Sequence, residues 1–241
     1  MLVAQTLFYL REYFFPFGCG GCGQALFGPE DAYYGLCGNC RAFFSTALDS
    51  EKRCEICGKP LISEKHTCLS CRQKEADGEK AYLVKTRTLF PYTGMFRAIL
   101  GAYKFGKSLG VAHFLVERLR AIAKDLGTEK ALWVPVPPRP GKIRKQGWDQ
   151  IEHLAALLES GHKHSPVYRC LRRLPSRSQK ELNREQRGSN LKGRIVLTKK
   201  APPTAILFDD IITTGATLNA CAQALVEAGA EKVYGVCLFY D

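Results

Sequence analysis

Eight cysteines stand in four Cys-x-x-Cys pairs within the first third of the chain: Cys19 with Cys22, Cys37 with Cys40, Cys54 with Cys57, and Cys68 with Cys71. Two intervening residues let both thiolates of a pair reach one tetrahedral ion from a tight turn, so four pairs can hold two structural zinc ions. A disulfide framework would require an oxidising compartment, and a redox Cys-x-x-Cys would normally occur once rather than four times. The 14 residues between Cys22 and Cys37 and the 10 between Cys57 and Cys68 each leave room for a hairpin. That favours sequential ribbons, first pair with second and third with fourth, over an interleaved cross-brace joining first with third. His66 lies close to Cys68 but is surplus to a four-thiolate site and reads as a surface histidine.

The aromatic-rich segment Met1 to Phe17 is interrupted by Arg11 and Glu12, and no basic residue precedes its apolar run. With no small-residue cleavage site either, it reads as a short helix whose Leu7, Leu10 and Phe14 face the rest of the protein, not as a removed signal. A cytoplasmic location is the resulting expectation. No membrane insertion is expected, because the apolar runs fall short of the roughly 18 residues a span requires. A chain of 241 residues that is 46% hydrophobic and 24% charged can build a globular core, which excludes wholesale disorder and fibrous architectures. The polar run Gln73 to Lys80 marks the expected boundary between an N-terminal helix with double zinc ribbon, 1–78, and a larger domain, 79–241.

The net charge of +12 is unevenly placed: residues 1–80 carry 9 Lys/Arg against 10 Asp/Glu, and residues 81–241 carry 26 against 13. The densest stretch, Arg139 to Arg194, holds 14 basic and 5 acidic residues. Such a field suits phosphate-bearing partners, either nucleotides or a nucleic-acid backbone.

In the larger domain the apolar spacing alternates between strand and helix periods. Tyr82 to Tyr92 reads as a pair of short strands, Met95 to Phe105 and Val111 to Lys124 as helices, and Ala131 to Val136 as a buried strand. Gln150 to Leu158 follows as a helix, Val167 to Leu171 as a short strand, Gln179 to Arg187 as helical and Ile195 to Leu197 as a strand. The finish is a strand at Thr204 to Phe208, a helix at Thr217 to Ala228 and a strand at Lys232 to Phe239. The pattern implies an α/β fold, a parallel sheet with helices on both faces, whose ligands lie beyond the C-terminal strand ends.

The sharpest chemical feature lies between the last two of these strands. An apolar strand runs into Asp209 and Asp210, and the hydroxyl-rich loop Thr213-Thr214-Gly215-Ala216-Thr217 opens directly into a helix. Carboxylates at a strand end can hold vicinal hydroxyls or a hydrated magnesium ion. The backbone N–H groups and Thr hydroxyls of the loop make a phosphate cradle at a helix N-terminus. A polyol beside a phosphate describes a ribose 5-phosphate. Upstream, Trp133-Val-Pro-Val-Pro137-Pro-Arg139 ends a strand in a rigid turn followed by Lys142, Arg144 and Lys145. Cys170, Cys221 and Cys237 are unpaired by spacing and read as small core hydrophobes.

The Asp209 to Leu218 stretch resembles the phosphoribosyl diphosphate (PRPP) motif of type I phosphoribosyltransferases. By that resemblance Asp209 and Asp210 bind the ribose hydroxyls and would be the catalytic pair, Thr213, Thr214, Gly215, Ala216 and Thr217 bind the 5-phosphate, and Pro137 to Lys142 grip pyrophosphate. Relatives acting on 6-oxopurines usually carry an acidic residue where Thr213 stands, which weakens purine salvage as the activity. The wider order is similar to the ComF family: cysteine ribbons, Tyr103-Lys104-Phe105, Val134-Pro-Val-Pro, Lys145-Gln-Gly147-Trp148-Asp149-Gln150, then Gln179-x-x-Leu182 with Arg187-x-x-Asn190, then the ribose-phosphate motif. That family joins a double zinc ribbon to a phosphoribosyltransferase-like domain. The resemblance implies PRPP with magnesium as ligand, a role in natural transformation with incoming single-stranded DNA, and a helicase-like competence partner. Active transfer of ribose 5-phosphate to a nitrogenous base and a PRPP-sensing adaptor are the alternative readings. The family usually has Arg-Gly-Phe-Asn-Gln where this chain has Gln146-Gly-Trp-Asp-Gln, which removes one anion contact. Trp148 is expected to pack into the core rather than stack on a base. The segment Arg172 to Asn190, with Arg177 and Arg187, reads as a hood whose arginines would pair with a diphosphate or a DNA backbone.

Overall fold

The computed structural model describes residues 18–46, 52–61, 63–106, 108–128, 130–160, 165–175 and 193–241. The expected helix at Met1 to Phe17, the helix at Gln179 to Arg187, and Arg177 and Arg187 themselves lie outside these residues. In chain order the elements are α1 (Pro29–Tyr34), α2 (Gly38–Thr46), α3 (Leu69–Ala76), β1 (Lys85–Pro91), α4 (Gly94–Lys104) and α5 (Val111–Asp125). They continue as β2 (Leu132–Pro135), α6 (Lys142–Gln146), α7 (Gln150–Glu159), β3 (Leu171–Arg173), β4 (Ile195–Leu197), β5 (Thr204–Ile212), α8 (Ala216–Glu227) and β6 (Lys232–Tyr240).

A four-stranded, all-parallel sheet runs in the order β1-β6-β5-β2. β2, β5 and β6 read as mainly apolar runs because both faces are covered, whereas the edge strand β1 opens with the polar residues Lys85 to Thr88. The alternation along β5 separates two cores: Ile206 and Phe208 pack with residues of α4, α5 and α7, whereas Ala205 and Leu207 pack with Leu218, Cys221, Ala222 and Leu225 of α8. Cys170, Cys221 and Cys237 are buried on the α8 side, as small apolar fillers should be.

Several elements differ from the sequence expectation. Tyr82 to Tyr92 forms one strand, not two, because Lys85 to Pro91 pairs along its length with β6. Val167 makes only an isolated bridge to Trp133, and the strand begins later, at Leu171, where a short antiparallel pair with β4 starts. The polar run after Gln73 is in part helical, since α3 continues to Ala76.

Both cysteine-bearing segments pack on the sheet unit. Phe44 of α2 is fully buried among Phe90, Phe96 and Phe114, with ring centroids 5.9, 5.4 and 6.3 Å away. It therefore belongs to the same core as α4 and α5. The Tyr34 hydroxyl donates to Glu117 Oε1 at 2.8 Å, and Tyr33 stacks on His113 at 4.2 Å. The second segment rests on β1, where the Thr88 hydroxyl donates to the carbonyl of Gly58 at 2.8 Å. A Cβ on Gly58 would come within 2.7 Å of the Thr86 carbonyl oxygen, so only glycine allows this approach.

Candidate functional site

The thiols of Cys19, Cys22, Cys37 and Cys40 converge in one cluster, and those of Cys54, Cys57, Cys68 and Cys71 in another, all within 4.8 Å of one another in each. Pairing is thus sequential. Each cluster couples a turn with the start of a helix: α2 carries Cys40 and α3 carries Cys71. The isolated bridges Gly18 with Ala25 and Arg53 with Pro60 flank the Cys19–Cys22 and Cys54–Cys57 turns, and the interval between Cys22 and Cys37 contains α1 rather than the expected hairpin. The Cys22–Cys37 and Cys57–Cys68 sulfur separations of 3.9 and 3.7 Å match the edge of a tetrahedron with Zn–S bonds of about 2.3 Å.

Main-chain N–H groups of Gly21 and Cys37 donate to Cys19 Sγ at 3.4 and 3.3 Å, and that of Cys68 to Cys54 Sγ at 3.4 Å. Burial pushes these two thiols up, but the amides aimed at them outweigh it and bring both down to about 7. Burial and the neighbouring sulfurs hold Cys40 and Cys71 well above the usual thiol range and Cys57 up to about 12. Four crowded thiols cannot all ionise without a cation, and two structural zinc ions fit these clusters. His66 stays outside, exposed and 3.1 Å from Glu55 Oε1.

The second centre lies at the C-terminal ends of β5 and β2. β5 runs on past the expected end at Phe208 to Ile212, because its pairing with β6 continues through Asp209, Ile211 and Ile212. The two carboxylates are therefore strand residues with period-two alternation, and they address opposite faces of the sheet. Asp210 follows Ile206 and Phe208 toward α4 and α7. Its Oδ2 takes the ammonium of Lys104, from the last turn of α4, and the amide of Gln150, the first residue of α7, at 2.6 Å. Its Oδ1 accepts from the N–H of Ile211 at 2.8 Å. Asp209 lies on the α8 side, and its Oδ1 accepts from the N–H of Asp210 at 2.8 Å.

These surroundings split the pair electrostatically. Burial, then the negative charge of Asp210, pushes Asp209 well above the usual carboxylate range. Burial opposes ionisation of Asp210 as well, but the charge and hydrogen bond of Lys104, with Gln150, outweigh it and hold that group below its ordinary value.

Asp210 is one end of a longer buried network. Lys142 Nζ bridges Asp149 Oδ2 at 2.6 Å and Gln150 Oε1 at 2.7 Å. Asp149 Oδ1 caps α7 by accepting from the N–H groups of Ile151 and Glu152 at 2.9 and 3.1 Å. The Tyr103 hydroxyl donates to the Gln150 carbonyl at 2.9 Å, and Trp148 packs edge-on against the Tyr103 ring at 5.4 Å. Trp148 thus packs against the core, as expected.

Beyond Ile212 the chain turns at Gly215, whose φ of +77° suits glycine, and enters α8 at Ala216. Asp209, Thr213, Thr214, Gly215, Ala216 and Thr217 line a small hollow of about 40 Å³ at that helix N-terminus. Beside it opens a cleft of about 740 Å³ between the turn after β2 and strand β3, lined by Arg139, Arg144, Arg172 and Arg173 together with Pro137, Pro138, Leu171 and Leu174.

Of the basic residues singled out from sequence, Arg139 and Arg144 line this cleft. Lys142 does not, being tied to Asp149 and Gln150 because α6, unforeseen from the sequence, turns its side chain toward the α7 cap. Lys145 is exposed and also off the lining. Lys104, Asp149 and Gln150 carried no role in the sequence reading, and Arg173, which lines the cleft with Arg172, entered it only among the hood arginines. The only signal for the first three was their place inside the Tyr103-Lys104 and Gly147-Trp-Asp-Gln150 motifs.

Among the described residues no helix is long and apolar enough to cross a membrane. A family profile described as a double zinc ribbon domain matches residues 10–72. The chain is 29% identical over 204 residues to competence protein ComFC of Streptococcus pneumoniae, covering 82% of this chain and 84% of that protein. It is 25% identical over 231 residues to competence protein F of Haemophilus influenzae, covering 91% and 95%. A stretch of 42 residues, 17% of this chain and 13% of the relative, is 48% identical to a ribose-phosphate pyrophosphokinase of Bacillus caldolyticus. With these relatives matched along most of their length, and with paired cysteine clusters leading into a parallel α/β sheet, the chain is similar to the ComF competence proteins over most of its length.

Proposed function

We propose that the chain binds PRPP at the β5–α8 loop and acts in the uptake or processing of DNA during natural transformation. The observation that carries this reading is the juxtaposition of Asp209, the N-terminus of α8 and an arginine-lined cleft at one end of the sheet, with Asp210 next to Asp209 on the other face of β5. The ribose hydroxyls would meet the carboxylate end of β5 through Asp209, and the 5-phosphate would meet the N–H groups and hydroxyls of Thr213 to Thr217. A diphosphate, with its magnesium, would lie toward Arg139, Arg144 and Arg173. The local likeness to a ribose-phosphate pyrophosphokinase supports a ribose phosphate as ligand. The relatives named competence proteins support the physiological role. A single DNA strand would use the same positive cleft, with an affinity that falls steeply with salt.

The test is calorimetric titration of the zinc-loaded protein with PRPP and magnesium, repeated on the Asp209→Ala/Asp210→Ala variant. Binding that the variant abolishes supports the site, and no binding by the intact protein rejects it. The apolar residues in this lining favour a second reading, transfer of the ribose phosphate to a planar nitrogenous base. Such transfer needs positioning and electrostatic stabilisation rather than a nucleophilic side chain. Release of pyrophosphate with any base in a screen separates the transferase from a binding protein.

A further inference from the structure

Magnesium on the carboxylate pair is the usual expectation for a ribose diphosphate site, and the residues present do not fit it. Magnesium requires near-octahedral oxygen ligands at about 2.0–2.1 Å. Here Asp210 Oδ2 is taken by the Lys104 ammonium and the Gln150 amide, and Oδ1 by the N–H of Ile211. Both ends of the Lys104–Asp210 pair are largely buried, with side-chain exposures of 19% and 15%. A dication on Asp210 would sit against that ammonium with little water between them to screen the repulsion. Lys104 is held in place by its own element: it ends α4 one residue after Tyr103, whose hydroxyl is anchored to the Gln150 carbonyl. Gln150 is in turn held by Lys142, whose second contact is the α7 cap, Asp149.

We propose that Lys104 is the resident cation of the carboxylate pair, orienting and neutralising Asp210 so that Asp209, on the side of the hollow, takes ribose hydroxyls with no divalent metal on the pair. The inference rests on the ribose-phosphate reading of the β5–α8 loop. Magnesium then enters only on the diphosphate of the ligand. Gln150, Lys142 and Asp149 are positioning residues that hold the amide and α7 against Asp210. This assigns a purpose to the Tyr103-Lys104 and Trp148-Asp149-Gln150 motifs, which the ribose-phosphate motif itself leaves unexplained.

Two titrations on the zinc-loaded full chain test it, with zinc content and thermal transition verified for every variant. In the first, the spin-resonance signal of free Mn²⁺ is followed as protein is added. Wild type and Lys104→Arg are expected to bind none, while Lys104→Met gains one site that the added Asp210→Asn change removes. Mn²⁺ binding by wild type that Asp210→Asn abolishes, or no gain in Lys104→Met, would overturn the proposal. In the second, ribose 5-phosphate, which lacks the diphosphate, is titrated without added divalent cation. Wild type and Lys104→Arg are expected to bind, and Lys104→Met to lose on the order of tenfold in Kd, the effect of one charge-assisted contact. Binding that appears only with added Mg²⁺ sinks the role of Lys104 and leaves the ribose-phosphate reading intact. No binding with or without Mg²⁺ sinks that reading, and the Mn²⁺ titration still decides whether Lys104 keeps metal off Asp210.

Discussion

Lys74, three residues beyond Cys71 on α3, donates its ammonium to the main-chain carbonyl of Thr214 at 2.7 Å. The helix that closes the second cysteine cluster therefore touches the proposed phosphate loop. Two further bonds hold the chain leaving α3 to the first turn of α8: Asn219 accepts from the N–H of Tyr82 at 3.3 Å and donates to the Lys80 carbonyl at 3.4 Å. Loop geometry at Thr214 thus depends on where α3 sits.

Lys74→Met is expected to weaken ribose 5-phosphate binding by a few-fold in Kd, corresponding to about 1 kcal/mol or less for a single partly exposed hydrogen bond. Cys54→Ser, which removes a ligand of the second zinc, should lower zinc content by one ion per chain and cause a larger loss of affinity. Metal analysis and calorimetry on the two variants check this. Unchanged affinity in both would show that the cluster and the loop are independent.

Phe44 links the first cluster to the sheet. Phe44→Ala empties a fully buried position between Phe90, Phe96 and Phe114 and is expected to cost about 3–5 kcal/mol of unfolding free energy. Phe27, 82% exposed, should cost almost nothing when truncated to alanine. Urea denaturation of the zinc-loaded proteins measures both, and equal small losses would mean that the first cluster does not share the domain core.

Asp209→Asn is expected to stabilise the fold at neutral pH. Burial and the charge of Asp210 raise the Asp209 carboxyl, so the folded chain binds a proton that the unfolded chain releases. The stability this group contributes is complete below the ordinary carboxylate range and is lost as pH rises through the folded-state value. Asp210, held low by Lys104 and Gln150 against its burial, acts in the opposite sense: its contribution is present above the ordinary carboxylate range and lost as pH falls through its folded value. Thermal melting against pH should show the Asp209→Asn advantage growing from acid toward neutral pH. A melting temperature lowered at pH 7 would contradict it. A carboxylate whose position costs stability fits the ligand-binding role proposed for Asp209.

The parts of the fold read from the sequence are those with strong local codes. Cys-x-x-Cys spacing carried both clusters, and the apolar runs of β5 and β6 carried the sheet centre. The strand-to-helix loop at Thr213 to Thr217 was legible because hydroxyls and one glycine before an apolar period have few other uses. What escaped was set by tertiary contacts. The length of β5 depends on its pairing with β6, which no residue between Phe208 and Ile212 announces. The partners of Asp210 come from the end of α4 and the start of α7, 106 and 60 positions away in the chain. Lys142 looked like an anion contact because it stands in a basic run. Only the turn of α6 commits it to Asp149 and Gln150.

Arg173 is the most specific predictor of what the cleft holds. It ends β3 facing a lining that includes Arg139 and Arg144, and among the described residues its guanidinium forms no hydrogen bond or ion pair. Burial, then the charge of Arg139, holds it below the usual guanidinium range, with Asp209 too weak an influence to compensate. Crowding like charges without a counter-ion costs stability unless an anion is to be bound there. Arg173→Met is therefore expected to leave stability unchanged or slightly raised, and to weaken inorganic pyrophosphate binding by about tenfold or more, the worth of one charge-assisted contact. Arg144→Met, at an exposed position, should cost less. Calorimetry with pyrophosphate beside urea denaturation checks both quantities on the same samples. Lost stability with unchanged pyrophosphate affinity would make Arg173 a structural residue and move the anion site elsewhere along the basic stretch.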